Sequence, residues 1–403
     1  MRPFVSTILL SLAGVAPVVA QESPEALAEP APATPSRGAL PARPMLTPGE
    51  YFDLAAHLRR AYTKPAAQWP EPTLDAGVAH RELAAAPPPR FPADRPNTPA
   101  KLQLGQMLFF DPRLSGSEQI ACASCHDPDL GWTDGRTVAF GDRRRPLHRN
   151  AMTLLNAGAG DVFFWDGRAD SLEAQARQVI RNPDEMRGSE TEIAERLGAQ
   201  PDYRKRFAEA FGDETINLQR VSEAIATFER TIVSRRNAFD RFLEGDSQAL
   251  TDSAIRGLHL FRTTARCLNC HNGPTLSDGA FHNLGLSFYG RSLQDLGRYD
   301  LTQEAPDVGA FKTPTLRNIT RTAPYMHNGL FDLDGVLRLY NVGMPSLRRT
   351  AAQKDDPLFP TKDKLLQPLA LNQQDLTDLK AFLESLTETP VRIRPPALPG
   401  LGD

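Results

Sequence analysis

The chain has 403 residues, 40% of them hydrophobic, and a formal net charge of −3. That length holds one or two sizeable cores, and the slightly acidic balance excludes the basic footprint of a nucleic-acid-binding protein. Four cysteines and 35 prolines are the counts that discriminate further.

Met1-Arg2 followed by an apolar run that ends in Val18-Val19-Ala20 is the pattern of a cleaved secretory leader over 1–20. Pro17 and the shortness of the run argue against an uncleaved anchor. No later segment is long and apolar enough to cross a bilayer. The expected product is periplasmic and not membrane-embedded. Residues 21–45 read as a disordered Pro/Ala linker, and 46–97 as an N-terminal extension. Within it, Thr47-Pro48-Gly49-Glu50 predicts a capping-box helix start, with Tyr51, Leu54, Ala55, Leu58 and Ala61 on one face. The Pro-rich stretch 66–97 predicts irregular chain. Thr98-Pro99 opens a helix that runs through Leu104, Met107 and Leu108 to Asp111-Pro112. Asp170 reads as the cap of a helix over 171–181, with Glu173 in the box position. Pro201 opens another that Gly212 ends. Over 217–243 the spacing of Val221, Ala224, Ile225, Phe228, Ile232, Phe239 and Phe242 predicts one long inter-domain helix, stopped by Gly245. A helix over 373–387 follows, then a Pro-rich tail over 391–403 laid on the surface. No strand-rich segment competes.

All four cysteines fall in two copies of one frame, Cys122-Ala123-Ser124-Cys125-His126 and Cys267-Leu268-Asn269-Cys270-His271. An exported chain sits where thiols oxidise, yet cysteines two residues apart, twice, make poor staples. The frame is that of c-type haem attachment, in which the cysteines form thioethers and the adjacent His ligates iron. A zinc site would need the pairs to converge and would not need both histidines. A redox dithiol needs no His there. Two covalently bound haem c groups are therefore expected. Gly105-x-x-x-Phe109 and Gly257-x-x-x-Phe261 precede the two frames as a faint internal repeat. The fold expected is mainly α, with two tandem class I cytochrome c-like haem domains, 98–245 and 246–390, meeting in a polar stretch near 245–252.

Several separate segments, GQMLFFDPRLSGSEQIACASCHD, FFWDGRADSLEAQA, FKTPTLRNITRTAPYMHNG and the second haem frame, resemble the bacterial di-haem cytochrome c peroxidase superfamily, including its MauG branch, over about 98–387. The extension 46–97 lies outside the basic peroxidase pattern. The resemblance implies that His126 is the proximal ligand of a first, peroxide-reacting haem. The place of the family's distal His falls on Asp142, which implies an open or water-bound iron, with His148 as the alternative ligand. Glu185, twenty residues after Trp165, falls on the distal acid/base, and Gln175 on a distal hydrogen-bonding residue. By itself Glu185 reads as a solvated loop charge. Trp165 falls on an aromatic between the haems that relays electrons, and it also reads as a core aromatic. His271 is implied as proximal ligand of the second haem. The place of that haem's sixth ligand, Met in ordinary peroxidases, falls on Tyr340, the MauG-like choice, with Met344 and Met326 as rivals. Asn150, Thr322 and Pro324 fall on the ligands of a calcium ion between the haems. The remaining histidines, 57, 80, 259, 282 and 327, read as structural or surface. The implied activity is hydrogen peroxide reduction. Electrons would enter near the second haem from a small redox protein, a cytochrome c or cupredoxin, or from a protein substrate as in MauG. A non-catalytic di-haem electron carrier is the rival from another class, and a haem-based sensor a third reading.

Overall fold

The computed structural model of the protein describes residues 41–400; the leader and the linker up to residue 40 lie outside the described residues. The helices in chain order are α1 (Pro48–Tyr62), α2 (Pro99–Phe110), α3 (Leu172–Arg181), α4 (Glu190–Gly198), α5 (Pro201–Phe211), α6 (Leu218–Arg230), α7 (Ala238–Leu243), α8 (Asp252–Arg262), the single turn α9 (Tyr299–Thr302), α10 (Leu333–Asn341) and α11 (Gln373–Ser385). Two short strands, β1 (Phe281–Asn283) and β2 (Ala310–Lys312), pair antiparallel with Phe281 opposite Lys312. The mainly α expectation holds.

Local chemistry sets most boundaries. Thr47 and Glu50 form the capping box of α1, Thr98 caps α2 ahead of Pro99, and Gly212 ends α5 at φ 91°. Two expectations need correction. Helix α3 is capped by Ser171, not Asp170. Glu173 is no cap partner; its carboxylate takes both terminal nitrogens of Arg230 at 2.9 Å, buried. The long helix over 217–243 is two helices. It stops after Arg230, where Thr231-Ile232-Val233 sets three β-branched residues in a row, and resumes at Asn237, whose side chain and that of Asp240 close a capping box. Between them the chain is pinned sideways: Asn156 Nδ2 and Asn318 Nδ2 both donate to Ser234 Oγ at 2.6 and 2.7 Å.

Apolar side chains gather in two cores. The first joins Leu104, Leu108 and Phe109 of α2 to Tyr203 and Phe207 of α5 and Val221, Ile225 and Phe228 of α6. The second joins Ile255, Leu258 and Phe261 of α8 to Leu379 and Phe382 of α11, with Phe239 and Phe242 of α7. Both are built around the same crossing. A Cβ on Gly105 would overlap the Ala224 carbonyl, and one on Gly257 would overlap the Asp378 carbonyl. Each glycine thus lets two helix backbones touch. Phe109 meets Phe228 edge-on at 5.3 Å, and Phe261 meets Phe382 at 5.2 Å. The faint sequence repeat is a repeat of construction.

The ends of the chain close over these cores. Leu58 and Tyr62 of α1, with Trp69 and Leu83 beyond it, belong to the second core. Arg262, 1% exposed, pairs with Glu82 and donates to the Pro70 carbonyl at 2.6 Å, its guanidinium over the Tyr62 and Trp69 rings. The linker reading of 21–45 overreaches at its end: Asn372 Nδ2 donates to the carbonyls of Arg43 and Pro44, which ties that stretch to the start of α11. The C-terminal tail lies on the first core through Ile393 and Leu398. No helix among the described residues is long and apolar enough to cross a membrane.

Candidate functional site

Each Cys-x-x-Cys-His frame begins as one short turn, Cys122–Ser124 and Cys267–Asn269. The turn folds the His back: the amides of His126 and His271 donate to the carbonyls of Cys122 and Cys267 at 3.0 and 2.8 Å. His126 Nδ1 lies 3.0 Å from the Trp132 carbonyl and His271 Nδ1 2.9 Å from the Leu276 carbonyl. A carbonyl only accepts, so Nδ1 carries the proton and Nε2 keeps its lone pair for a metal. Burial lowers both imidazole pKa values and holds the rings neutral.

Both frames line one cavity of about 1590 Å³. Single-ligand pockets run roughly 300–1,000 Å³, so the space suits two large groups. The four cysteines are free. Burial pushes the Cys125 and Cys267 thiols up to about 12 and Cys122 further, the opposite of what a redox dithiol requires. Nor do the pairs converge on a metal. Among the described residues the one close group of potential ligands is Cys270, Asp278 and His282, which draws on a single cysteine. Paired thiols at the wall, two histidines with Nε2 available and a cavity of this size fit two covalently attached haem groups.

The other expected residues line the same cavity: Trp165, Gln175, Glu185, Asn150, Thr322, Pro324 and Tyr340, with His148 and Met326. Glu185 sits on the turn after α3. Its Oε1 accepts from Asn182 Nδ2 at 3.0 Å and lies 3.7 Å from Arg168 Nη2. Burial raises its pKa against the opposing pull of Arg168 and Asn182. This is a half-buried, perturbed acid and not a solvated loop charge. Gln175 comes from α3, about two turns before this stretch. Trp165 Nε1 donates to the Asn150 carbonyl at 2.9 Å. Asn150 Nδ2 donates to the Arg136 carbonyl at 2.8 Å, which leaves the side-chain oxygen for a cation. Tyr340 lies on α10. Burial and the nearby cysteines raise its phenol pKa.

Asp142, at the place of the family's distal His, and Met344, the rival to Tyr340, stand elsewhere. Asp142 does not line the cavity; its carboxylate accepts from Arg187 Nε at 2.6 Å. Met344 is buried away from the cavity wall. Two of the histidines read as structural or surface have defined structural roles. His327 stacks on Phe311 at 3.6 Å and 10°, with Trp165 edge-on at 6.4 Å, an aromatic trio on the cavity wall. His282 is clamped between Asp278 and Asp363, at 2.9 and 2.6 Å. Burial alone would lower its pKa, but hydrogen bonds to the two carboxylates, with Cys270 beside them, push it up to about 12. The i,i+4 spacing of Asp278 and His282 was a visible signal for half of this clamp. Asp363, 81 residues away, left none.

Residues 99–248 match the sequence profile of a family described as di-haem cytochrome c peroxidase. The methylamine utilization protein MauG of Methylorubrum extorquens is 43% identical over 314 residues, 76% of this chain and 84% of that protein. The cytochrome-c peroxidase IdrP1 of a Pseudomonas species (strain SCT) is 36% identical over 353 residues, 80% of this chain and 90% of that one. The chain belongs to the di-haem cytochrome c peroxidase/MauG family. It is an oxidoreductase of a peroxide-reducing family, and membership of a di-haem family implies two haem c groups. A crystal structure of a MauG-like protein associated with microbial copper homeostasis superposes with a TM-score of 0.68 at 32% identity, covering 78% of this chain and 96% of that one.

Proposed function

We propose that the protein is an exported di-haem c-type peroxidase of the MauG-like kind that reduces hydrogen peroxide to water. The observation that carries this reading is Glu185. A carboxyl with a raised pKa stands at the wall of the cavity that also takes the first haem frame. The reaction is H2O2 + 2 H⁺ + 2 e⁻ → 2 H2O. When bound, the haem groups supply a peroxide-binding iron at the first frame and storage for the second oxidising equivalent at the other. His126 and His271 would each ligate one of the two haem groups through Nε2. Asp142, tied to Arg187 and off the cavity wall, would not serve as a ligand to the first haem. Glu185 moves the proton. Asn182 holds Oε1, so Oε2 is the atom that takes the proton from bound peroxide and returns it to the departing oxygen. Gln175 orients the peroxide from the same wall. Trp165, fixed by the Asn150 carbonyl, would carry electrons between the haem sites, and Asn150, Thr322 and Pro324 would hold a calcium ion that steadies that stretch. Tyr340 would be a further ligand to the second haem, where a phenolate would favour ferric and higher states. Identity of 43% with MauG, together with Tyr340 at the family's ligand place, favours a second reading in which the electrons come from residues of a protein substrate. A small redox protein is the donor in the first.

The test is the EPR spectrum of the oxidised holoprotein with peroxide turnover on a reduced donor. One high-spin and one low-spin ferric signal with peroxide consumption support the proposal. Two low-spin signals and no consumption establish the electron carrier in its place.

A further inference from the structure

Helix α6 ends its apolar run with an acid. Glu229 is 3% exposed and lines the same cavity as the two haem frames. Its Oε2 is buried with no hydrogen-bond partner among the described residues. The neighbouring cation is already engaged, because both terminal nitrogens of Arg230 donate to Glu173 at 2.9 Å. A carboxyl buried in this way keeps its proton and not its charge. Burial pushes the Glu229 pKa up to about 8, against the pull of Arg230 and with Glu173 adding to the rise.

Packing does not ask for an acid here. The two cores repeat one crossing, with Gly105 of α2 on Ala224 and Phe228 of α6, and Gly257 of α8 on Asp378 and Phe382 of α11. Glu229 follows Phe228. Leu383 follows Phe382, is 6% exposed and lines the cavity too. One place in the repeated construction thus holds an apolar side chain on the second side and a carboxyl on the first. That carboxyl faces the first frame: after burial, its charge is the larger cause of the raised Cys122 thiol pKa.

Few other charges reach this end of α6. Helix α3 brings Glu173, which also pairs with Arg95 of the extension at 3.1 Å. One turn on, Arg177 of α3 donates to Ser222 at 3.2 Å. Helix α2 meets α6 with Lys101, held by Glu223 at 2.5 Å, and α4 with Glu190, which takes the Leu218 amide at 3.3 Å. Those contacts lie nearer the start of the helix. The turn over 156–160, packed on Arg230 through Gly158, carries no ionisable residue.

We propose that Glu229 is a redox-linked proton carrier of the first haem site: it takes a proton from solvent when the haem group there gains an electron, and gives it back when that electron leaves. The extra positive charge of an oxidised centre favours the carboxylate, and reduction favours the acid. Proton and electron therefore move in the same direction, and the buried site changes net charge less. Reduction of hydrogen peroxide needs one proton for each electron, and Glu229 brings the two in together. The linkage rests on the two haem sites that the family implies, and not on peroxide turnover or on Glu185.

The test uses the holoprotein without peroxide. Midpoint potentials are read by spectroelectrochemistry on both sides of about pH 8, and protons taken up on reduction are read with an indicator dye in weak buffer. In wild type the first-haem potential should fall as pH rises, with a slope approaching about 59 mV per pH unit, the value for one proton per electron. Reduction should take up protons over the same range. Glu229→Gln copies the shape of the protonated acid, and Glu229→Leu copies the second side. Both should lose that slope and that uptake and keep the potential that wild type shows at low pH. A wild-type potential flat with pH, or slope and uptake unchanged in either variant, overturns the proposal. Should neither variant take up haem, the redox-difference infrared spectrum of wild type decides. A protonated-carboxyl C=O band that disappears on oxidation, moves on isotope labelling of glutamate and persists in Glu185→Gln supports Glu229, and its absence overturns the proposal. No arm uses peroxide, so a failed peroxidase reading leaves each of these outcomes standing.

Discussion

Replacing Glu185 by Gln separates its chemistry from its packing. The amide keeps the shape and can still offer its carbonyl oxygen to Asn182 Nδ2, now 3.0 Å from Oε1. What it loses is the basic oxygen. General acid–base groups contribute roughly 10²–10⁴-fold, or about 2.7–5.4 kcal/mol at 1.36 kcal/mol per decade. The expected outcome is a fall of that size in the second-order rate of the peroxide-induced Soret change, followed by stopped flow. The pH profile gives a sharper check. Burial raises the Glu185 pKa, and the counter-pull of Arg168 and Asn182 is smaller. A base is active when ionised, so wild-type rate should drop on acidification while still above about 4.3, where an unperturbed Glu titrates. Glu185→Gln should lack that acid limb. A variant rate within threefold of wild type, with the same acid limb, refutes Glu185 as the proton-transfer group.

The other outcomes concern the second iron and the scaffold. Tyr340→Phe removes the oxygen and should convert or broaden the low-spin ferric EPR signal of the second haem; an unchanged signal eliminates Tyr340 as ligand. Gly257→Ala forces a Cβ into the Asp378 carbonyl and should cost about 1–3 kcal/mol or more by overpacking, read as a lowered melting temperature. Gly198→Ala, where nothing lies within 4 Å, is the control that should be neutral or better. Glu173→Gln leaves Arg230 buried without its counter-charge and should cost about 3–5 kcal/mol in denaturant melts. Burial opposes the Glu173 charge but the Arg230 hydrogen bonds prevail, so its pKa is lowered. The wild-type contribution is therefore full at neutral pH and lost as pH falls through that depressed value, and the Gln variant should show a flatter acid profile.

What was legible depended on how far apart the cooperating residues lie. The haem frames, the Thr47–Glu50 box and the Pro201–Gly212 helix are local, and each carries its whole signal within a few residues. The two-fold construction was legible only as Gly-x-x-x-Phe. That pattern sufficed because a helix crossing demands a glycine at the touch point and an aromatic one turn on. The long helix over 217–243 failed for a stated reason. Apolar spacing continued in phase through Ile232 to Phe239, while the β-branched trio at 231–233 and the Asn237–Asp240 box argued locally for a break. Periodicity outvoted them, yet Asn156, Asn318 and Ser234, far apart in sequence, stabilise the extended link.

The site divides the same way. Resemblance brought Glu185, Trp165 and Tyr340 to attention, and the fold sets all three on one cavity. It offered nothing for Asp363, for the stack of His327 on Phe311, or for residues 73–81 lying over the second frame, since each joins segments that share no motif. The extension shows why this matters for function. Read alone, 66–97 is a Pro-rich irregular stretch with no chemistry. Folded, its backbone and Asp75 take the side-chain amide of Asn269 and the flanking Arg266 of the second haem loop, while no such contact reaches Ser124 among the described residues. Two frames identical in attachment chemistry thus present different surfaces to a partner. The asymmetry comes from a segment outside the matched 99–248.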